Sequence, residues 1–295
     1  MKNISFLFIL ITAFIFSCKD APDVSIDHTI ADSHQLISAL MEDKAAVVSA
    51  HRGGSGIKGY PENALETLAY LYGQDIKIFE IDVIQTKDQQ VMLLHDDFLE
   101  RTTTGNGKIK DLTAEDLLKY NLKDDFGRVT EYKIPFLKDV LKWAKNKDAY
   151  LMIDFKRNVD YDKVINLVRE YGVENQSILI SYNVEQAKKL HQLAPEINLS
   201  VSARNMQELD WLLKTKIPTT KMIAFTGTRL SKDTLYERLN QLKIPAILGT
   251  LGNLDKRAAA RGDHLYKDWA VLGIQIIATD RPIDAYNALK ETHED

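Results

Sequence analysis

Short apolar runs alternate with amphipathic segments along most of the chain after residue 34. The apolar runs are about the length of strands and suit a sheet that is buried on both faces. The segments between them carry apolar residues at helical spacing, as at Val164, Leu167 and Val168. The predicted strands cover residues 45–50, 76–84, 91–94, 150–155, 177–181, 198–202, 222–225, 245–249 and 274–278. The predicted helices cover residues 63–73, 136–145, 160–171, 184–193, 206–213, 232–242, 255–272 and 282–291.

The order of these elements predicts an α/β fold. Runs 76–84 and 91–94 flank a polar turn and are typical of a hairpin, which we count as one strand position. Eight strand-then-helix units in a chain of this length match a TIM (β/α)8 barrel. The alternative is a doubly wound open sheet, but no glycine-rich phosphate-binding fingerprint follows the first strand.

Residues 98–132 interrupt the alternation after the second strand position. The stretch contains the run Thr102–Gly107, a helical segment at 111–120 and a polar segment at 123–128. Such a long excursion is uncommon in a compact domain and is often functional. We therefore expect a small insertion after strand two.

The N-terminus is typical of an exported protein. Lys2 precedes an apolar run at 4–16 that is short for a membrane span, so residues 1–17 are predicted to be a signal peptide. Cys18, the one cysteine of the chain, follows this run and resembles the lipidated cysteine of a bacterial lipobox. An ordinary signal peptide is the alternative. The lipoprotein interpretation predicts membrane anchoring through lipidated Cys18 on the periplasmic or cell-surface side. Residues 18–33 would then be a tether and 34–295 the folded domain.

Composition narrows the possible functions. The chain is 45% hydrophobic and 27% charged, with a formal net charge of −4. This balance gives no support to a nucleic-acid partner, which needs clustered Lys and Arg. With Cys18 in the lipobox, the domain has no thiol for catalysis or metal binding. Nothing in the sequence indicates an oligomeric state.

Polar groups stand near the ends of four predicted strands. They are His51, Glu80, Asp82, His95, Asp154 and Lys156. In a parallel barrel these strand ends share one rim, and residues two apart on a strand point the same way. Each group alone is more often a cap or a hydrogen-bonded residue than a catalyst. Their coincidence at one rim predicts a site.

The chemistry of this set is consistent with phosphodiester cleavage. Glu80, Asp82 and Asp154 offer only carboxylate oxygens, which favour a hard divalent cation, Mg²⁺ or Ca²⁺. Two histidines suit general acid and base roles. Arg52 and Lys156 are suited to holding phosphate oxygens.

At these residues the chain resembles the glycerophosphodiester phosphodiesterase family, particularly its bacterial lipoprotein-type members. The resemblance extends over residues 34–289 and implies a TIM barrel with a small insertion after strand two. The motifs that carry it are His51-Arg52-Gly53, Pro61-Glu62-Asn63, Glu80-Ile81-Asp82-Val83, His95-Asp96, Leu99-Glu100-Arg101-Thr102-Thr103, Ile134-Pro135, Ile153-Asp154-Phe155-Lys156 and Thr279-Asp280-Arg281-Pro282.

The resemblance implies an enzyme that hydrolyses small-molecule glycerophosphodiesters to glycerol 3-phosphate and an alcohol with a divalent cation. The implied metal ligands are Glu80, Asp82 and Asp154, with Glu62 either on the metal or supporting the site. His51 and His95 would be the acid/base pair, with Arg52 and Lys156 near the phosphate. Direct attack by water and attack by a glycerol hydroxyl through a cyclic phosphate both remain open.

The sequence departs from the family pattern at two places. The third metal ligand is usually Glu in the family and is Asp154 here. The seventh strand usually ends in a Trp-Thr-Val-Asn-like segment, where this chain has Gly249-Thr250-Leu251-Gly252-Asn253. The second departure puts an aromatic wall for the substrate in doubt.

Two other functions compete with this one. One is a phosphodiesterase acting on intact phospholipid, sphingolipid or a polymer, and the mostly polar insertion argues against intact lipid. The other is a non-catalytic binding lipoprotein, and the presence of both histidines and all three carboxylates argues against it.

Overall fold

A computed structural model describes residues 32–41 and 44–290 of the chain. The predicted signal peptide, Cys18 and almost all of the predicted tether lie outside these residues. No helix within the described ranges combines the length and the apolar character needed to span a bilayer.

Strands and helices alternate along the described chain as the sequence pattern predicts. The strands are β1 Val47–Ala50, β2 Ile78–Gln85, β3 Val91–Leu93, β4 Tyr150–Phe155, β5 Ser177–Ser181, β6 Asn198–Ser202, β7 Met222–Phe225, β8 Ala246–Gly249 and β9 Ile276–Thr279. The helices are α1 Ser33–Met41, α2 Leu65–Tyr72, α3 Ala114–Leu117, α4 Leu137–Ala144, α5 Tyr161–Tyr171, α6 Val184–Leu193, α7 Met206–Leu213, α8 Asp233–Gln241, α9 Asn253–Arg261, α10 Leu265–Ala270 and α11 Pro282–Leu289.

The sheet closes on itself. Its order is β1-β9-β8-β7-β6-β5-β4-β2-β3, and β1 also pairs with β2. Eight of the described strands run parallel around the closed barrel, and β3 pairs antiparallel with β2 on the outside of the ring. The predicted TIM barrel is confirmed, and the open sheet is excluded.

The main core lies between the barrel and its helices. Phe79, Leu199 and Leu248 are among the buried strand residues that pack there against helix residues such as Leu68 and Leu239. Burying apolar area in this way is the main favourable contribution to folding, at about 25 cal/mol per Å².

Helix α1 packs at the N-terminal end of the barrel. Leu36 and Ile37 are buried against strand residues that include Ile223 and Ile276. Ser33, the last residue of the predicted tether, begins this helix, is buried and donates a hydrogen bond to the Met222 carbonyl, 2.8 Å away. The opposite, C-terminal end of the barrel is the one that carries the polar strand-end residues.

The insertion has a small core of its own. Leu99, Ile109, Leu117 and Leu122 are buried together, with Met92 on the hairpin strand. Helix α3 begins in a capping box in which Thr113 and Asp116 bond reciprocally. The insertion is therefore a packed unit at the rim.

One predicted helix is wrong. Residues 255–272 form two helices, α9 and α10, separated at Gly262. Gly262 has a φ of +117°, which ends the first helix, because other residues rarely adopt such an angle.

Candidate active site

Three carboxylates converge at the C-terminal end of the barrel. Glu80 and Asp82 lie two apart on β2, and Asp154 on β4 is in register with Asp82. Each offers an oxygen, and these oxygens lie within 4.8 Å of one another. Burial raises the pKa of Glu80 well above its ordinary value, and the negative charges of Asp82 and Asp154 raise it further. A cation at this point would relieve the repulsion.

The two carboxylate oxygens of Asp154 differ in their partners. Asp154 Oδ1 is buried and has no hydrogen-bond partner among the described residues. Its other oxygen, Oδ2, accepts from Lys156 Nζ at 2.7 Å and from the Tyr182 hydroxyl at 2.8 Å. A buried, unpartnered carboxylate oxygen is costly unless something pairs with it. An all-oxygen set with one such atom fits a hard divalent cation.

Asn63 fixes the second carboxylate. Its amide donates to Asp82 Oδ2 at 2.7 Å, and its carbonyl accepts from the Asp82 backbone N–H at 2.9 Å. Asn63 is itself fully buried, with a φ of +55°. This left-handed conformation is one that Asn tolerates better than most residues.

Lys156 lies between two of the carboxylates. Its ammonium is 2.6 Å from Asp82 Oδ1 and 2.7 Å from Asp154 Oδ2. Burial lowers the pKa of Lys156, but the negative charges of Asp82 and Asp154 outweigh it, so the net shift is upward. In the structure the Lys156 ammonium therefore pairs with the carboxylates, and its predicted contact with the substrate phosphate stays a prediction.

His51 is held by a carboxylate from the far end of the chain. Residues Ala50 and Thr279 pair in the barrel, so His51 and Asp280, which follow them, lie side by side. His51 Nδ1 is 2.7 Å from Asp280 Oδ1, which also accepts from the Ser55 hydroxyl at 2.9 Å. A carboxylate accepts from Nδ1–H, so in the neutral form of His51 the lone pair is on Nε2. That nitrogen lies 4.0 Å from Glu80 Oε2.

His95 is held in the same manner. Its Nδ1 lies 2.7 Å from Asp96 Oδ1, and Arg101 binds Asp96 through Nε at 2.5 Å and Nη2 at 2.9 Å. The Arg101 hydrogen bonds lower the pKa of Asp96 to about 2 against the opposing effect of burial, with His95 adding to the shift. The other ring nitrogen, Nε2, is 2.9 Å from Arg52 Nη2.

Glu62 lies in an arginine network. Its buried carboxylate accepts from Arg101 at 2.8 Å through both oxygens and from Arg52 Nη1 at 3.2 Å. The Arg52 backbone N–H donates to Glu80 Oε2 at 2.7 Å, which joins this network to the carboxylates. Glu62 is outside the group of three carboxylates, and Arg52 bridges Glu62 and His95.

A pocket of about 300 Å³ is bordered by six of these residues: His51, Glu80, Asp82, His95, Asp154 and Lys156. Glu80 and Asp82 stand on β2 and Asp154 on β4, with His51, His95 and Lys156 just after β1, β3 and β4. Tyr182 lies beside Asp154, and the β7 and β8 side of the pocket is lined by Phe225, Thr228 and Leu251. A Cβ at Gly249 would lie 3.1 Å from Phe225 Cε2, so the glycine makes room for this ring. Phe225 and Tyr182 thus supply aromatic rings to the pocket.

Several site residues were not assigned roles from the sequence, among them Asp280, Arg101 and Tyr182. Asp280 and Arg101 belong to motifs that carried the resemblance, but their partners are set by the closed barrel and the folded insertion. Tyr182 directly follows the predicted strand at 177–181, and this position at a strand end is the signal that could have placed it at the rim.

The comparisons with known proteins agree with this geometry. The model of the glycerophosphoryl diester phosphodiesterase family matches residues 51–264, well over half of the chain. The chain belongs to this family. A crystal structure of a glycerophosphoryl diester phosphodiesterase from Parabacteroides distasonis is 30% identical, with a TM-score of 0.75, covering 86% of this chain and 90% of that one.

Two further relatives are also similar to the chain. A glycerophosphodiester phosphodiesterase of Caldanaerobacter subterraneus is 30% identical over 52% of this chain, and the match spans 65% of its own length. A phosphodiesterase of Oleispira antarctica, in complex with the product sn-glycerol-3-phosphate, is 20% identical with a TM-score of 0.68, covering 85% of this chain and 98% of that one. This last likeness establishes the shared fold.

Proposed function

We propose that this chain is a metal-dependent phosphodiesterase that converts glycerophosphodiesters to sn-glycerol 3-phosphate and an alcohol. The observation that carries the proposal is the meeting of three carboxylates with two carboxylate-held histidines around one pocket. The product bound by the Oleispira antarctica relative and the names of the family members support the choice of substrate.

Glu80, Asp82 and Asp154 are the residues that would hold the cation, Mg²⁺ or Ca²⁺. When bound, a divalent cation polarises a phosphoryl oxygen and offsets developing negative charge. The open Asp154 Oδ1 supports this assignment. Glu62 would support the site through Arg52 and Arg101 rather than bind the ion.

The two histidines would move the protons. A neutral imidazole would accept the proton of the attacking water or glycerol hydroxyl as its oxygen bonds to phosphorus, and a protonated imidazole would deliver a proton to the alkoxide as its bond to phosphorus breaks. If the glycerol hydroxyl attacks, water then opens the cyclic phosphate with the two imidazoles in exchanged roles, so glycerol 3-phosphate forms by either route. Asp280 and Asp96 hold the Nδ1 sides of His51 and His95, so the exchange would use the two Nε2 atoms. His95 Nε2 accepts from Arg52 Nη2 at 2.9 Å, and it would become available when Arg52 turns to the phosphate. Arg52, whose guanidinium lies beside His95, and Lys156 would face the phosphate oxygens.

The assay is release of sn-glycerol 3-phosphate from glycerophosphocholine by the purified protein. We expect His51→Ala and His95→Ala each to lower kcat by at least about 100-fold, the usual scale for acid/base residues. His264→Ala, at a well-exposed histidine, is the matched control and should retain the wild-type rate. Near-normal turnover in either site variant, or release of phosphocholine instead, would contradict the proposal.

We also propose that the protein is an exported lipoprotein anchored through Cys18. The support is the apolar run at 4–16 followed by the single cysteine. Cys18→Ser should move the protein from the membrane fraction to the soluble fraction of the expressing bacterium. An unchanged distribution would contradict lipid anchoring.

A further inference from the structure

A second, larger cavity opens beside the catalytic pocket. Its volume is about 770 Å³, and it lies between the loops that follow β6 and β7. We call it the outer groove; its lining comes from residues 204–207, 226–232 and 234–235. Thr228 lines both the outer groove and the catalytic pocket, so the two spaces share a wall.

The loops that form the outer groove are tied to each other and to the barrel. The Ser231 hydroxyl lies 3.3 Å from the Arg204 carbonyl on the neighbouring loop and 3.3 Å from the Thr226 carbonyl. The backbone N–H of Ser231 donates to the Tyr236 hydroxyl at 3.0 Å, and the Gly227 carbonyl accepts from the Gly249 N–H at 2.9 Å. These hydrogen bonds define the shape of the groove.

The charge of the outer groove is opposite to that of the carboxylate site. Its lining contains three cations, Arg204, Arg229 and Lys232, and no Asp or Glu. Arg204 is paired with Glu208 at 2.9 Å. Arg229 and Lys232 are exposed and make no ion pair or side-chain hydrogen bond within the described chain. The adjacent acid, Asp233, is exposed and does not line the groove.

The position of the outer groove relates it to the substrate. The carboxylates and histidines occupy the β1, β2 and β4 side of the rim, and the pocket residues on the β7 side, Phe225 and Thr228, carry no charge. A diester whose phosphate lies at the carboxylates and whose far end passes over Thr228 would enter the groove. Two unpaired cations there favour an anion at that end and disfavour a cationic headgroup such as choline.

We propose that the outer groove binds an anionic group on the leaving alcohol, so that the substrate class includes glycerophosphodiesters whose alcohol carries a further phosphate. This inference rests on the proposed function, because it extends the same substrate beyond the scissile phosphate. Arg229 and Lys232 are the specificity-determining residues.

The test compares two diesters that differ only in the second phosphate. They are glycerophosphoglycerol and its derivative phosphorylated on the leaving glycerol. We expect the wild-type kcat/KM to favour the phosphorylated diester, and Arg229→Gln/Lys232→Gln to reduce that preference by about three- to tenfold, as expected for two exposed ion pairs. Arg238→Gln/Lys256→Gln removes the same charge from exposed positions outside the groove and should keep the wild-type preference.

The possible outcomes distinguish a failure of the groove assignment from a failure of the proposed function. Equal kcat/KM for the two diesters in the wild type, or an equal loss for both in Arg229→Gln/Lys232→Gln, would overturn the groove assignment. Absence of turnover with either diester would refute the proposed function instead. In that case the groove assignment is tested by dissociation constants measured by calorimetry with Mg²⁺ present. A lower dissociation constant for the phosphorylated diester, with the difference lost in the double variant, supports the assignment. Equal dissociation constants for the two diesters overturn it.

Discussion

Asp280→Asn is the sharpest test of how the histidines are held. Asp280 Oδ1 accepts from His51 Nδ1 at 2.7 Å and from Ser55 at 2.9 Å. Burial raises the pKa of Asp280, but the hydrogen bond and charge of His51 outweigh it and lower the pKa overall, so Asp280 is ionised at neutral pH. Asparagine keeps the shape and removes the charge that would stabilise an imidazolium.

The magnitude follows from the type of contact. A charge-assisted hydrogen bond is worth about 1.5–3 kcal/mol, and each 1.4 kcal/mol changes a rate tenfold. We therefore expect kcat to fall by roughly 10- to 150-fold in Asp280→Asn. KM should change little, because Asp280 acts on the substrate only through His51.

Steady-state kinetics with glycerophosphocholine measure this effect, with thermal melting to check the fold. Asp284→Asn is the control, because Asp284 lies on the following helix and pairs with Arg281 at 3.1 Å, away from His51. A wild-type kcat in Asp280→Asn, with an unchanged melting temperature, would refute the orienting role of Asp280.

Three further predictions concern groups around the site. Arg101→Met removes a partner from buried Glu62 and from Asp96, so unfolding free energy should fall by about 1–2 kcal/mol and Tm by roughly 2–8 °C in calorimetry. Tyr182→Phe removes one of two donors to Asp154 Oδ2 and should weaken Mn²⁺ binding about tenfold by titration calorimetry, as for other residues that orient a ligand. The pKa of Asp96 is lowered to about 2, so its ionised form stabilises the fold above about pH 4. Asp96→Asn should therefore lose about 1–2 kcal/mol in denaturant unfolding at pH 7, and the difference should shrink as pH falls toward 2.

Matched variants distinguish these effects from general damage. Arg169→Met breaks an exposed ion pair with Glu196 and should shift Tm by much less than Arg101→Met. Tyr150→Phe, at the opposite end of the barrel, should leave Mn²⁺ affinity unchanged. If the difference in unfolding free energy between wild type and Asp96→Asn stays constant from pH 7 to pH 2, ionisation of Asp96 is ruled out as its source.

The barrel and the carboxylate group were predictable because both depend on short-range patterns. A spacing of two on one strand places Glu80 and Asp82 on the same face. The parallel neighbour β4 then brings Asp154 into register with Asp82. The boundaries of the strands also followed from the apolar runs, within about two residues.

The partners of the site residues were not predictable in the same way. Asp280 is 229 residues from His51, and only the pairing of β9 with β1 brings the two together. Arg101 reaches Glu62 across the insertion, whose fold depends on its own small core. Local sequence patterns do not show which distant residues meet in the fold. The partners of Asp280 and Arg101 could therefore be assigned only from the closed barrel and the folded insertion.

Residues 249–253 lack the aromatic side chain of the family pattern, and the ring of Phe225 lines the pocket instead. The glycine at Gly249 makes space for Phe225, which comes from the neighbouring strand β7. An aromatic side chain can line a pocket from any of several strands, and the sequence motif of one strand does not reveal which.

The proposed function requires that Glu80, Asp82 and Asp154 hold one divalent cation needed for phosphodiester cleavage. The most direct measurement is titration of chelator-treated protein with Mg²⁺ or Ca²⁺ while ion binding and glycerophosphocholine turnover are both followed. We expect turnover to return as one ion binds per chain, and both responses to shift to at least about tenfold higher ion concentration in Asp154→Asn. Full activity in the chelator-treated protein, or unchanged ion affinity in Asp154→Asn, would contradict the claim.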